Sequence, residues 1–140
     1  MRYLAIDPGD RRTGLAIGDD DTGSAGPVDV LDARDADALV RGIKAAIDAY
    51  DAEALVIGLP LNMDGSTGPA AKKAEALARR LAAETGLAVH RVDERLTSYA
   101  ADQQMAGSGL TRGGKKARRD ALAAAVILQD FLNRQPKDRR

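Results

Sequence analysis

The chain has 140 residues, which fits one domain with a core of its own. Its 21 acidic and 21 basic residues cancel, so only local charge clusters can indicate a nucleic-acid partner. The lack of cysteine excludes disulfides and thiolate chemistry, and scarce aromatic residues disfavour folds that stack RNA bases on aromatic platforms. No apolar run reaches the ~18 residues of a membrane helix, and no signal-like leader precedes the first strand, so we expect a soluble cytoplasmic protein.

The N-terminal segment predicts a buried strand that ends at an acidic residue. Residues 2–6 form a short, almost wholly apolar run, typical of a strand covered on both faces. Asp7 follows directly, and a carboxylate at the edge of a core must be hydrogen-bonded, paired or bound to a cation. Asp7-Pro8-Gly9 is also a common turn sequence, so the turn and ligand interpretations of Asp7 both stand at this point.

The next segment predicts a partner strand, a polar tip and a weak third strand. Residues 15–17 lie between glycines and predict the second strand, and residues 28–31 predict the third. Asp19 to Asp21 are three consecutive acids that resemble a metal loop. No glutamate follows them at EF-hand spacing, so we interpret this run as a solvated hairpin tip.

Helices and strands then alternate along the chain. Asp35 precedes an amphipathic helix whose apolar residues recur at three- and four-residue steps up to Tyr50. Residues 54–60 predict a fourth strand. Residues 69–85 predict a second helix, with Pro69 in its first turn and Gly86 at its C-terminal cap.

The last third of the sequence completes an α/β pattern. Residues 87–92 predict a fifth strand, residues 97–105 a short helix and residues 106–114 a mobile loop, after which a last helix runs to about Leu132. The alternation predicts an α/β fold with a mixed sheet and helices on both faces. We expect a single domain over residues 1–133 and a polar C-terminal tail over residues 134–140.

Acidic residues stand where predicted parallel strands end. Asp7 ends the first strand, and Asp93 and Glu94 end the fifth, so the carboxyl edge of the sheet could bring them together. Converging carboxylates repel one another unless a cation joins them, and oxygen-only ligands suit Mg²⁺ or Mn²⁺. Two such ions would hold a phosphodiester and activate water for in-line attack.

Asp120, near the start of the last helix, is a further candidate ligand. On a helical wheel it lies within about 40° of Ala124 and Ile127, so it is predicted to face the sheet, whereas Gln129 is predicted to face away. The common alternative is a residue that interacts with the helix dipole.

A basic cluster directly precedes Asp120 and predicts contacts to a polyanion. Lysine and arginine contacts to phosphates supply affinity and register without sequence information, although a solvated charged face is the usual explanation of such a run. Arg12 and Arg95 could extend this surface. The cluster consists of Arg112, Lys115, Lys116, Arg118 and Arg119.

The sequence resembles the YqgF/RuvX family over essentially its whole length. The motifs that carry the resemblance are Asp7-Pro-Gly, Gly-Leu-Pro-Leu-Asn-Met-Asp-Gly at residues 58–65, Asp-Glu-Arg-Leu-Thr-Ser at residues 93–98, and Asp120 before an apolar helix. The resemblance implies an RNase H-like fold and a metal-dependent nuclease that matures the 5′ end of pre-16S ribosomal RNA. It also implies an alternative, Holliday junction resolution, from likeness to RuvC.

The resemblance also implies site residues. Asp7, Glu94 and Asp120 match the acidic positions as catalytic residues and ligands of Mg²⁺ or Mn²⁺. Asp93 is adjacent to Glu94 and is the other possible ligand. Strand alternation sends the two side chains to opposite faces, so we expect Glu94 to be the ligand and Asp93 to face the structure or Arg95. Asn62 belongs to a loop expected to line the site. The chain has Gly58-Leu59-Pro60 on the fourth strand, where RuvC carries a glutamate, and this argues against junction resolution and its expected dimer.

Four functions follow as alternatives. The first is a monomeric RNA nuclease acting on pre-16S rRNA, and the second is a nuclease that uses the same site on branched or single-stranded DNA. The third is a non-catalytic assembly factor that binds RNA through the basic cluster. The fourth is a nucleotide-binding domain of the actin and sugar-kinase type, which the length of the chain disfavours because such proteins need two lobes.

Overall fold

The structure is a computed structural model that describes residues 1–96 and 112–135, without the side chains of residue 96 and residues 112–120. The mixed five-stranded sheet and the helices on both of its faces are confirmed. The elements are β1 (Arg2–Asp7), β2 (Arg12–Asp19), β3 (Ser24–Asp32), α1 (Ala36–Tyr50), β4 (Ala54–Leu59), α2 (Pro69–Thr85), β5 (Val89–Asp93), a 3₁₀ helix (Glu94–Leu96) and α3 (Arg112–Asn133).

The strand order is β3-β2-β1-β4-β5. β1 is antiparallel to β2 and parallel to β4, and β4 is parallel to β5. The last residues of β1, β4 and β5 therefore lie along one side of the sheet, which we call the carboxyl edge.

The sheet separates two apolar cores because side chains alternate along each strand. Leu4 and Ile6 of β1 pack with α1 and α2 on one face. Tyr3 and Ala5 pack with α3 on the other face. Asp7 continues this second set, so the alternation assigns it to the α3 face.

The ends of α1 and α2 agree with the signals in the sequence. The Asp35 carboxylate accepts a hydrogen bond from the Ala38 amide at 2.8 Å, which caps the first turn of α1. Pro69 is the first residue of α2, and Gly86 ends it with a φ of 73°, a left-handed conformation that suits glycine.

The edge strand β3 differs from its prediction. It is nine residues long, because the pairing with β2 continues past an extra residue, Val28, that sits between the pairs Leu15–Asp29 and Ala16–Pro27. An extra residue with a proline beside it is a bulge, and bulges and prolines are tolerated on edge strands. The apolar pattern alone marked only the part of β3 after the bulge.

Gln129 does not face away from the sheet as predicted. Its amide nitrogen donates to the Gly23 carbonyl at 2.8 Å, and its amide oxygen accepts from the Ala25 amide at 3.2 Å. The prediction from the helical wheel was wrong here, because this polar side chain faces the sheet to satisfy backbone groups at and just before the start of β3. These bonds place this part of α3 beside the β2–β3 turn.

The direction of α3 follows from its contacts. Ile127 lies against Gly58 near the end of β4, and the later residue Gln129 lies at the β2–β3 turn on the opposite side of the sheet. The first turns of α3 therefore lie toward the carboxyl edge. The helix begins at Arg112, so the predicted loop over residues 106–114 ends too late. The predicted helix at residues 97–105 and the rest of that loop lie outside the described residues.

Within the described ranges, no helix combines the length and apolar character needed to cross a membrane. The longest described helix, α3, carries charged residues in both its first and its second half.

Candidate active site at the carboxyl edge

The structure brings Asp7 and Glu94 together at the carboxyl edge. Asp7 is the last residue of β1, and Glu94 is the first residue after β5. The two strands are separated by β4, and the side chain of Glu94 reaches Asp7 across it to form a carboxyl–carboxyl hydrogen bond.

This contact changes the acidity of Glu94. Burial is the largest cause of a raised Glu94 pKa, followed by the hydrogen bond to Asp7 and the negative charges of Asp7 and Asp93. Protonated Glu94 can donate to the Asp7 carboxylate, so the pair is satisfied by a shared proton when no cation is bound. A divalent cation between the two groups would replace that proton.

Gly58 is what lets Glu94 cross β4. A Cβ atom at this position would lie 2.7 Å from Glu94 Cγ, 2.8 Å from Glu94 Cδ and 2.7 Å from Ile127 Cδ1. From the sequence, residues 58–60 were interpreted only as a departure from RuvC, and this role of Gly58 was not predicted. The available signal was a glycine at the end of a buried strand, which often marks a close approach.

The turn after Asp7 is equally tight. A Cβ on Gly9 would lie 2.5 Å from the Arg12 carbonyl oxygen, so only glycine fits there without a shift. Arg12 is half-buried at the start of β2, where the neighbouring pair Asp7–Gly14 closes the β1–β2 ladder. The turn therefore holds the backbone of Arg12 at the carboxyl edge, near Asp7.

Asp93 is engaged by Arg95 rather than by Asp7. The Arg95 Nε and Nη2 atoms donate to Asp93 Oδ2 at 2.9 and 2.6 Å, and the Arg95 amide donates to Oδ1 at 3.0 Å. These bonds lower the pKa of Asp93. Of the two adjacent acids, Glu94 is the one that meets Asp7, and Asp93 forms an ion pair with Arg95.

Arg95 also ties the loop after β4 to the site. Its Nη1 atom donates to the Met63 carbonyl at 3.1 Å. Asn62, predicted to contact nucleic acid, is exposed, and its Nδ2 donates to Ser66 Oγ at 3.0 Å. Both side chains thus shape the loop, and their predicted contacts to nucleic acid stay predictions.

Asp120 and the basic cluster are described by their backbone alone. Asp120 lies two turns before Ile127, or about 10 Å along the axis toward the carboxyl edge. Arg112, the first residue of α3, belongs to the same helix, as do the other members of the cluster. Their side chains lie outside the described part, so their predicted roles stay predictions.

A second acidic group lies far from this edge. Oxygens of Asp19, Asp20 and Asp21 lie within 4.8 Å of one another, the single such group of three that the described residues contain. Asp19 pairs with Arg2 at the start of β1, which is the opposite side of the sheet from Asp7. The N-terminal ammonium donates to Asp20 Oδ1 at 2.8 Å, so a protein cation already balances part of this charge.

Known proteins resemble this chain over nearly its whole length. A family model described as "RuvX: Holliday junction resolvase" matches residues 1–134. A protein of Anaeromyxobacter sp. (strain Fw109-5), named "Putative pre-16S rRNA nuclease", is 42% identical over 133 residues, which cover 95% of this chain and 97% of that protein. A protein of the same name from Opitutus terrae is 43% identical over 136 residues, 96% of this chain and 93% of its own.

Solved structures show the same fold at low identity. RuvC of T. thermophilus in complex with a Holliday junction substrate aligns with a TM-score of 0.63 at 16% identity, over 95% of each chain. The Holliday junction resolvase of fowlpox virus aligns with a TM-score of 0.59 at 10% identity, over 96% of this chain and all of that one. These likenesses confirm the predicted RNase H-like fold. With a family model that matches nearly the whole sequence, the chain belongs to the RuvX family.

Proposed function

We propose that this protein is a metal-dependent nuclease that hydrolyses phosphodiester bonds of nucleic acid, with the 5′ end of pre-16S rRNA as its substrate. The observation that carries the proposal is the Asp7–Glu94 contact at the carboxyl edge. In open sheets of this class, ligands bind beyond the carboxyl ends of the parallel strands. We propose pre-16S rRNA as the substrate because relatives at about 40% identity are named for it.

The donor set fits a divalent cation. Asp7 and Glu94 offer carboxylate oxygens from two strands, and the first turns of α3 bring the backbone of Asp120 toward the same edge. Oxygen ligands of this kind are preferred by Mg²⁺ and Mn²⁺. When bound, such an ion would stabilise negative charge that develops on phosphoryl oxygens.

The residues of the chain have distinct roles in this proposal. Asp7, Glu94 and Asp120 would hold the cation, and Gly58 leaves the space through which Glu94 reaches Asp7. The basic cluster at the start of α3 would hold the phosphate backbone, together with Arg12 at the start of β2, the strand beside Asp7. Asp93 and Arg95 fix the end of β5, which orients Glu94.

An alternative substrate is branched or single-stranded DNA. The description of the family and the titles of the RuvC and fowlpox structures name Holliday junctions, and the same carboxylates could act on either backbone. The RNA substrate is favoured because it is named for relatives far closer in sequence. Such processing implies a cytoplasmic location. The departure from RuvC at residues 58–60 favours a monomer over the RuvC dimer.

The test replaces Asp7 by Asn, which keeps the shape of the side chain and removes its charge. We expect Asp7→Asn to lower cleavage of a precursor rRNA end in Mn²⁺ by at least about a hundredfold, because the metal loses a charged ligand. The unfolding curve should stay close to that of the parent. Cleavage at the parental rate would contradict the assignment.

The same preparation decides between the substrates. The parent protein should cut a precursor 16S rRNA end faster than a four-way DNA junction at matched salt concentration and metal concentration. Preference for the junction would favour the alternative function and leave the proposed site in place.

A further inference from the structure

The loop between β4 and α2, residues 61–68, has an ordered structure of its own. The Asn62 amide donates to the Ser66 carbonyl at 3.0 Å, and the Gly65 amide donates to the Asn62 carbonyl at 2.8 Å. Asp64 Oδ1 accepts from the Ser66 hydroxyl at 2.6 Å and from the Ser66 amide at 2.9 Å. Gly65 has a φ of 87°, which glycine adopts without strain.

This loop is fixed to the candidate active site from outside. Arg95 donates to the Met63 carbonyl at 3.1 Å, while the same guanidinium is held by Asp93 at the end of β5. Arg95 directly follows Glu94 in the chain. The side chain of one residue, Arg95, therefore connects the backbone of Met63 to the chain next to Glu94.

Met63 is presented to solvent on this ordered loop. Its side chain is 89% exposed, and in the described part of the chain Met1 is the one other large hydrophobic residue that is exposed. A single exposed apolar residue needs no explanation in general. One held on a hydrogen-bonded loop beside a nucleic-acid site is different, because its backbone is ordered before any substrate arrives.

The charges around Met63 favour contact with a base over contact with a phosphate. The neighbouring Asp64 carboxylate has a lowered pKa, chiefly because the Ser66 hydroxyl donates to it, and it stays ionised at neutral pH. The nearby cation, Arg95, is already paired with Asp93. A negatively charged loop with an apolar tip repels a phosphate backbone and can receive the flat apolar face of a base.

The rest of the described chain offers few other surfaces for a base. Tyr3 is buried, and Tyr50 and Phe131 are packed against the two cores. The exposed His90 ring packs on Phe131, with the ring centroids 4.9 Å apart. Methionine is polarizable, and apolar side chains of this kind can wedge between nucleic-acid bases.

We propose that Met63 packs against an unpaired nucleobase of the substrate strand, next to the scissile phosphate. The inference rests on the proposed function and makes it more specific, because a base can reach Met63 only where it is unstacked and unpaired. The loop over residues 61–68 then acts on the bases, and the basic cluster of α3 acts on the backbone.

The experiment measures binding rather than cleavage. A short single-stranded RNA with a fluorescent label is titrated with protein in EDTA, and anisotropy gives the dissociation constant. We expect Met63→Ala to weaken binding about fivefold, because a base contact of this kind is lost. Met63→Leu, the matched control that retains an apolar side chain, should stay within about twofold of the parent.

Substrate analogues identify the contacted group. On RNAs with one abasic nucleotide placed at successive positions, Met63→Ala and the parent should bind equally at the position that Met63 contacts. On a blunt duplex of the same sequence the two proteins should also bind equally. A Met63→Ala effect that persists equally on the duplex and on every abasic RNA would overturn the base contact.

Two failures can be told apart. If the parent binds RNA and Met63→Ala binds it with the same affinity, the inference about Met63 is wrong and the nuclease proposal stands. If the parent binds neither RNA nor DNA under any condition tested, both are wrong. An unchanged unfolding curve for Met63→Ala shows that the variant is folded, as expected for an exposed side chain.

Discussion

Glu94 is placed at the site by an absent side chain as much as by its own position. It follows β5, an edge strand, while Asp7 ends β1, and β4 lies between them. A side chain on β4 at the level of Asp7 would block the path. Gly58 has none, and the space is filled by Glu94 Cγ and Ile127 Cδ1, each 2.7 Å from where a Cβ would be. The Asp7–Glu94 contact thus depends on the absence of a side chain at Gly58.

Gly58→Ala is therefore expected to damage the site more than the fold. The new methyl group must displace Glu94 or Ile127, at a cost of about 1–3 kcal/mol in the free energy of unfolding from overpacking. Displaced Glu94 no longer meets Asp7, so cleavage in Mn²⁺ should fall by at least tenfold, about the loss that disturbed support of a metal ligand brings. Urea denaturation and the cleavage rate measure the two effects separately.

Two further variants separate packing from the site. Gly26→Ala is the matched control, since a Cβ on that β3 glycine meets nothing within 4 Å, and both stability and activity should stay near those of the parent. Adding Ile127→Val to Gly58→Ala removes Ile127 Cδ1 and should recover part of the stability. Activity should not return, because Glu94 is still displaced. A fully active Gly58→Ala variant would contradict the dependence on Gly58.

At the scale of elements, α1 and α2 are joined by a chain of charges on the face opposite the site. Glu84 accepts hydrogen bonds from Lys44 of α1 and Arg80 of α2, both at 2.6 Å. Arg80 Nη2 also lies 2.7 Å from Asp37 Oδ1 in α1. The two donors lower the pKa of Glu84 to about 2, the Lys44 hydrogen bond being the largest cause.

This network should stabilise the fold in a pH-dependent way. A carboxylate with a lowered pKa binds protons more weakly in the folded state, so its stabilisation is complete above the ordinary glutamate value near 4.5 and is lost as the pH falls to about 2. Glu84→Gln should therefore be less stable than the parent at pH 7 and equally stable near pH 2. The difference stays small because the pair is partly exposed to solvent and screened by salt.

Urea denaturation of both proteins across this pH range checks the prediction. A difference that grows as the pH falls would contradict it, and so would one that high salt fails to reduce at pH 7. Lys72→Ala, which removes an exposed charge from α2 outside this network, is a control that should leave the pH dependence of stability unchanged.

Elements with local signals were predictable, and those decided by neighbours were not. Pro69 and Gly86 marked the ends of α2 to the residue, because caps and proline act within one turn. The bulge at Val28 was not visible, since it is defined by pairing with β2. The start of α3 was predicted three residues late, because Gly113 and Gly114 are poor helix formers that the observed helix nevertheless includes.

At the scale of the whole molecule, the sheet edge and the pairing of Asp93 with Arg95 were predictable, and the contact from Arg95 to the loop after β4 was not. Strand-end acids in parallel strands meet at one edge, which placed Asp7 near Asp93 and Glu94. Which of the two meets Asp7 depends on strand alternation and on the gap at Gly58. The bond between Arg95 and Asp93 joins residues two positions apart and agrees with the orientation expected from the sequence. The bond from Arg95 to the Met63 carbonyl joins two distant segments, and no spacing in the sequence encodes it.

The overall charge of the protein makes the location of its cations decisive for nucleic-acid binding. With 21 acids and 21 bases there is no net attraction for a polyanion, so affinity must come from a local cluster. Lys115 and Lys116 lie in the first turns of α3, toward the carboxyl edge, whereas Lys72 and Lys73 are exposed on α2 at the opposite face.

We expect replacement of Lys115 and Lys116 by alanine to weaken RNA binding and to reduce the slope of log affinity against log salt by about 1 to 1.5, since each lost phosphate contact removes one released counterion. The matched pair Lys72 and Lys73, replaced in the same way, changes net charge equally and should reduce the slope by less, because α2 lies on the other face of the sheet. Equal effects of the two pairs in salt titrations would show that binding follows total charge, and the basic cluster would then be an ordinary solvated surface.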